Sequence, residues 1–151
     1  AVVGLSALLT TTMENMKNAE GNGVYEVKLE YRVNTTPNIL FQRLFTPYGL
    51  SEWFADDVNL LGNTYTFIWN GSTRKAELVE KKENKYIKFR WIEAEGNSKT
   101  NYHFTFQLNR DDITNELSLL VTEEIEDLEE RDEIISLWNY QINELKKAIG
   151  A

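Results

Sequence analysis

Hydrophobic and polar residues alternate strictly from Val24 onward, with Tyr25, Val27, Leu29, Tyr31 and Val33 on one side and Glu26, Lys28, Glu30 and Arg32 on the other. Period-two alternation of this length predicts an antiparallel strand with one buried face and one wet face. Asn34-Thr-Thr-Pro37 then offers a helix N-cap with proline in the first turn, ahead of Ile39, Leu40, Leu44 and Phe45 at helical spacing. The helix is expected to reach Thr46, where Pro47-Tyr-Gly49 breaks it, and Leu50-Ser-Glu-Trp-Phe54 reads as a second short turn of helix with its aromatics inward. Six further strands follow, at about 57–61, 64–70, 73–82, 85–93, 100–109 and 116–124, with Asn70-Gly71 and Glu83-Asn84 as turn signals. Their alternation puts Tyr65, Phe67 and Trp69, then Ala76 and Leu78, then Ile87, Phe89 and Trp91 on a single apolar face. Tyr102, Phe104, Phe106 and Leu108, with Leu117, Leu119 and Val121, extend that face. What covers it is the last segment, where Ile134, Ile135, Trp138, Ile142, Leu145 and Ile149 recur at the spacing of a long amphipathic helix. Acids from Glu123 to Asp127 precede that helix, Lys146 and Lys147 close it, and Gly150 is its stop. The order of elements predicts an α+β helix-grip: a curved antiparallel sheet of about seven strands wrapped around a long C-terminal helix, with two short helices after the first strand.

Composition narrows what such a fold does. A length of 151 residues, 42% of them hydrophobic, suits one domain with a real core. The absence of cysteine removes disulfides, thiolate nucleophiles and cysteine-based metal sites, and fits a reducing cytosol, so a cytoplasmic location is expected. A formal charge of −8 opposes phosphate backbones and anionic lipid, so neither nucleic acid binding nor membrane insertion is expected. Residues 1–22 differ in composition from the rest. They lack the basic start and small-residue cleavage site of a secretory signal, Met13 is an alternative start, and the domain is expected to occupy 23–151.

The segment Thr46-Pro-Tyr-Gly-Leu-Ser-Glu-Trp-Phe54 resembles the entry segment of START-like proteins of the SRPBCC superfamily. Tyr65-Thr-Phe-Ile-Trp-Asn-Gly71, Ala76-Glu-Leu-Val-Glu80, Tyr86-Ile-Lys-Phe-Arg-Trp91 and Leu137-Trp-Asn-Tyr-Gln-Ile-Asn-Glu-Leu-Lys146 follow in the order of the branch related to activators of the heat shock protein 90 ATPase. The likeness covers roughly residues 24–150. The family's glycine-rich turn before its last strand is replaced here by Asn109-Arg-Asp-Asp-Ile-Thr-Asn115, and its longer linker before the final helix by a compact acidic run. The resemblance implies a cavity between sheet and helix that takes a small hydrophobic molecule, lipid-like or aromatic. Trp53, Phe54, Phe67, Trp69, Phe89, Trp91, Phe104, Trp138 and Ile142 are the candidate ligand-binding residues. The competing reading is that these same large side chains fill the core and leave no room.

No catalytic residue, metal site or cofactor is assigned. The single histidine, His103, falls by parity on the outer face, as does Arg90, read as a surface charge partner. The adjacent Asp56 and Asp57 point to opposite faces and suit a solvated turn or cap. The expected function is therefore non-catalytic ligand binding. A co-chaperone role of the heat shock protein 90 activator type is the alternative that the resemblance carries. A cyclase-like or dehydratase-like enzyme is the second, and it would need a buried ionisable group, for which the sequence offers no clear candidate. The run Glu123–Glu133, eight acids in eleven residues, reads as a solvated helix approach or as a docking surface for a basic protein.

Overall fold

A computed structural model describes residues 12–17, 23–93 and 99–151. Eight strands form one antiparallel sheet: β1 (Thr12–Lys17), β2 (Gly23–Arg32), β3 (Asp57–Leu61), β4 (Thr64–Trp69), β5 (Ser72–Lys82), β6 (Tyr86–Ile92), β7 (Lys99–Arg110) and β8 (Leu117–Ile125). The spatial order is β1-β2-β8-β7-β6-β5-β4-β3, so the first strand of the alternating pattern lies beside the last. Seven strands are those expected from the sequence. The eighth, β1, pairs its backbone with β2 at the sheet edge and comes from the segment set outside the domain, whose other residues lie outside those described.

Two short helices, α1 (Pro37–Phe45) and α2 (Pro47–Ser51), link β2 to β3, and a 3₁₀ turn at Leu128–Glu130 leads from β8 into α3 (Arg131–Ile149). The first helix ends before Pro47, as expected, but the second starts at Pro47 itself and covers Pro47–Ser51 rather than 50–54. Proline is favoured in the first turn of a helix because its missing N–H has no intrahelical partner there. Thr46 serves both helices: its Oγ1 donates to the Gln42 carbonyl at 2.6 Å and accepts the Gly49 N–H at 2.9 Å. Glu123 and Glu124 belong to β8 rather than to the approach to α3, whose dipole is met instead by Asp132 and Glu133 in the first turn. Gly150, at φ +70°, ends α3 in the left-handed region.

The concave face of the sheet is packed with rings. Phe89 stacks on Phe104 at 4.8 Å between centroids, Phe54 meets Phe67 edge to face at 4.8 Å, and Trp53 and Trp138 each contact Phe106 at 5.7 Å. Such pairs contribute about 0.5–1.5 kcal/mol each beyond the area they bury. On the helix side Ile135, Trp138, Gln141, Ile142 and Leu145 are buried. Two tyrosine hydroxyls fasten the helices to the sheet: Tyr31 donates to Asn139 Oδ1 on α3 at 2.8 Å, and Tyr65 donates to the Phe45 carbonyl at the end of α1 at 2.6 Å. The inward alternation of β5 ends near Leu78, where the register with β6 shifts before Glu80.

Candidate functional site

Between the first half of α3 and strands β5 to β8, the packed rings give way to an open pocket of about 410 Å³. Its apolar walls include Phe54, Trp69, Trp91, Ile134 and Trp138. Its polar groups include Arg74, Tyr102, Glu123 and Gln141, and the exposed Glu126, Glu130 and Glu133 rim it. The volume falls within the range of small-molecule sites.

At the inner wall stands a carboxylate. Glu123 lies in register with Phe104 of β7 on one side and Val27 of β2 on the other, so the strand parity that buries Leu119, Val121 and Ile125 also turns Glu123 inward. Its two oxygens accept from two different indoles: Trp138 Nε1 donates to Oε1 at 2.7 Å and Trp91 Nε1 donates to Oε2 at 3.2 Å. Burial raises the pKa of this carboxyl, opposed by the Trp138 hydrogen bond, the charge of Arg74 and the Trp91 hydrogen bond, all of which favour the ionised form. Arg74 lays its guanidinium over the Trp91 ring, 3.6 Å from the centroid. Burial lowers its pKa while Glu123 and Glu130 hold it up. Burial, and then the charges of Glu126, Glu130 and Glu124, raise the pKa of the Tyr102 phenol.

The candidate residues divide between this pocket and the core behind it. Phe54, Trp69, Trp91 and Trp138 line it. Phe67, Phe89, Phe104 and Ile142 do not, because each is buried in the ring stack or under α3. Trp53 faces a shallower depression on the far side of Phe54 and donates its N–H to the Arg43 carbonyl at 2.7 Å. The centre is filled and the end beside β8 is open. The ionisable group that the sequence reading did not find is Glu123, and Arg74 was missed with it. Both were readable by parity, since Glu123 follows Leu119 and Val121 by twos and Arg74 precedes Ala76 and Leu78 by twos.

The outer face holds the remaining charged candidates. Arg90 Nε donates to His103 Nε2 at 3.3 Å, which leaves the proton on Nδ1 to donate to Glu124 Oε1 at 2.8 Å. His103 is half-buried in this row rather than free in solvent. Asp56 accepts the Asn70 N–H at 2.8 Å and Asp57 the Val58 N–H at 2.9 Å, so each ties down local backbone. The run Glu123–Glu133 is not one surface: Glu123 faces the pocket, Glu124 bonds His103, and Asp127 caps the 3₁₀ turn through the Glu129 N–H at 2.9 Å. No group of three or more acidic or histidine side chains able to hold a metal ion occurs among the described residues. No helix among them is long and apolar enough to cross a membrane.

A family model described as a START-like superfamily domain matches residues 23–151. The chain belongs to the START-like superfamily. Solved structures of this fold include the Aha1 dimer from Colwellia psychrerythraea, 20% identical with a TM-score of 0.69, over 82% of this chain and 94% of that one. A conserved protein of unknown function, EF2215 from Enterococcus faecalis, is 16% identical with a TM-score of 0.70, over 98% of this chain and 81% of that one. CalU16 from Micromonospora echinospora is 12% identical with a TM-score of 0.68, over 89% and 80% respectively. At these identities the likeness is one of fold. A comparison of the sequence with curated proteins finds no match.

Proposed function

We propose that this START-like domain is a non-catalytic binding module for a small molecule with an apolar or aromatic body, held in the pocket between β5–β8 and α3 with Glu123 as its polar anchor. The observation that carries this reading is the pair of indoles that fix the Glu123 carboxylate at the wall of a pocket of about 410 Å³. The carboxylate's free lone pairs remain for a ligand donor, while Phe54, Trp69 and Ile134 cover hydrocarbon or ring surface, a contact worth about 25 cal/mol per Å² of apolar area. Native mass spectrometry and tryptophan fluorescence against a panel of lipid-like and aromatic compounds test it. Binding is expected in the parent protein and its loss is expected in Ile134→Trp, which fills the pocket from a half-buried position on α3. A parent protein that retains no adduct and ignores the whole panel would sink the reading.

A second reading follows from the same carboxyl. A half-buried acid with a raised pKa beside a ligand-sized space is also what proton transfer needs, so the enzyme alternative rests on Glu123. Once a ligand is known, chemical change in it that Glu123→Gln abolishes without loss of binding would favour catalysis. An unaltered ligand recovered from the parent protein would favour binding alone.

A further inference from the structure

The charge inside the pocket is uneven. Its lining includes Glu123, Glu126, Glu130 and Glu133, and its one cationic side chain among the described residues is Arg74. That guanidinium lies flat against an aromatic wall, 3.6 Å from the Trp91 centroid, and no hydrogen bond or salt bridge among the described residues locks it to a carboxylate. It is held by the ring face and by the fields of Glu123 and Glu130. A delocalised cation on an indole face next to an anion is the arrangement by which proteins recognise organic cations. Arg74 sits at the end of β5 near the Asn70-Gly71 turn, on a long side chain that reaches solvent when it swings away.

We infer that the pocket takes an organic cation, an amidinium-like or ammonium group joined to an aromatic or aliphatic body, and that the Arg74 side chain is a displaceable stand-in for that cation on Trp91. The inference rests on the binding reading above and deepens it. The incoming cation replaces the guanidinium on the Trp91 ring, in the field of Glu123, its hydrophobic body lies along Trp138 and Ile134, and the released Arg74 moves into solvent.

Three soluble probes of one shape and different charge test this: benzamidinium, benzamide and benzoate, titrated calorimetrically into the parent protein, Arg74→Ala and Glu123→Gln, each first shown to keep a cooperative melt. The parent protein is expected to prefer benzamidinium. Arg74→Ala is expected to bind it at least about tenfold more tightly while its affinity for benzamide hardly changes, and Glu123→Gln is expected to erase the preference. Should Arg74→Ala fail to fold, Arg74→Met keeps the stem without the charge and is expected to shift affinity in the same direction. Benzamide bound as well as benzamidinium in the parent protein would overturn the charge inference and leave the binding reading standing. Benzoate preferred, and lost in Arg74→Ala, would overturn it too, making Arg74 an anchor for anions. Failure of all three probes in every variant would overturn the inference, while the pocket reading beneath it falls only if the wider panel of lipid-like and aromatic compounds is ignored as well.

Discussion

Trp53 and Trp69 donate their indole N–H groups to backbone carbonyls, those of Arg43 and Phe54, whereas Trp91 and Trp138 donate theirs to Glu123. The first two brace the scaffold; the second two hold a charge in place. A hydrogen bond to a charged group contributes about 1.5–3 kcal/mol, more than its neutral counterpart. Trp138→Phe removes the shorter of the two bonds to Glu123 and is expected to raise the pKa of that carboxyl further, because the lost donor favours the ionised form. The sign of the pH dependence follows from the raised value. A folded-state pKa above the unfolded one means that stability is greatest at low pH and falls as pH rises from the unfolded value through the folded one. The fall is therefore expected to extend further in Trp138→Phe, with an added loss of about 2 kcal/mol on its high-pH side. Urea unfolding at a series of pH values measures this, and curves that stay parallel to the parent's would show that the indole does not stabilise the charge. Glu123 and Arg74 lay in view in the alternation of β8 and β5. They are missed when Glu123 is grouped with the acidic approach to the last helix and the parity of β5 is followed only through Ala76 and Leu78.

Period-two and helical spacing located the seven strands of the matched domain and the long helix because burial on one face leaves a regular trace. Their shared elements were harder to see. Thr46 ends α1 and caps α2 at once, and a proline read as a breaker is the first residue of α2. The close approach of the two helices has its own cost at Gly49, where an added Cβ would meet the Gln42 carbonyl oxygen at 2.4 Å, Thr46 Oγ1 at 2.5 Å and Arg43 Cα at 2.8 Å. Two of those atoms are backbone and cannot turn aside. Gly49→Ala is expected to lower stability by about 2–3 kcal/mol, against the small gain that alanine ordinarily gives in a helix. Thr46→Ala, which loses the cap and the bond to Gln42, is expected to cost about 1 kcal/mol. Thermal or urea unfolding of the two variants checks the order. A neutral Gly49→Ala would mean that α1 and α2 part easily, and with them the loop that carries Trp53 and Phe54 into the core.

On the scale of the whole molecule, ring packing fills the centre of the helix-grip and leaves a pocket at the end beside β8, so the grip of α3 on the sheet decides whether that pocket keeps its shape. Composition could not show which end stays open, since that depends on how far α3 lies from the sheet along its length. Away from the pocket a phenol ties α3 to the sheet, Tyr31 on β2 holding Asn139, and a second, Tyr65 on β4, ties down the end of α1. Burial raises both pKa values, that of Tyr65 to about 12 and that of Tyr31 further still, from an ordinary value of 10.0. Because the folded-state values lie above the unfolded one, the stability these groups contribute is whole below about pH 10 and is lost as pH rises from there through 12 and beyond. The domain is thus expected to unfold in alkali well before its lysines and arginines have all lost their charge. Tyr31→Phe and Tyr65→Phe should each cost about 1 kcal/mol at neutral pH, through the lost hydrogen bond, while flattening the alkaline fall when combined. Urea midpoints between pH 8 and pH 12 for the parent and the double variant provide the measurement. If the double variant falls as far as the parent, the alkaline transition belongs to other groups.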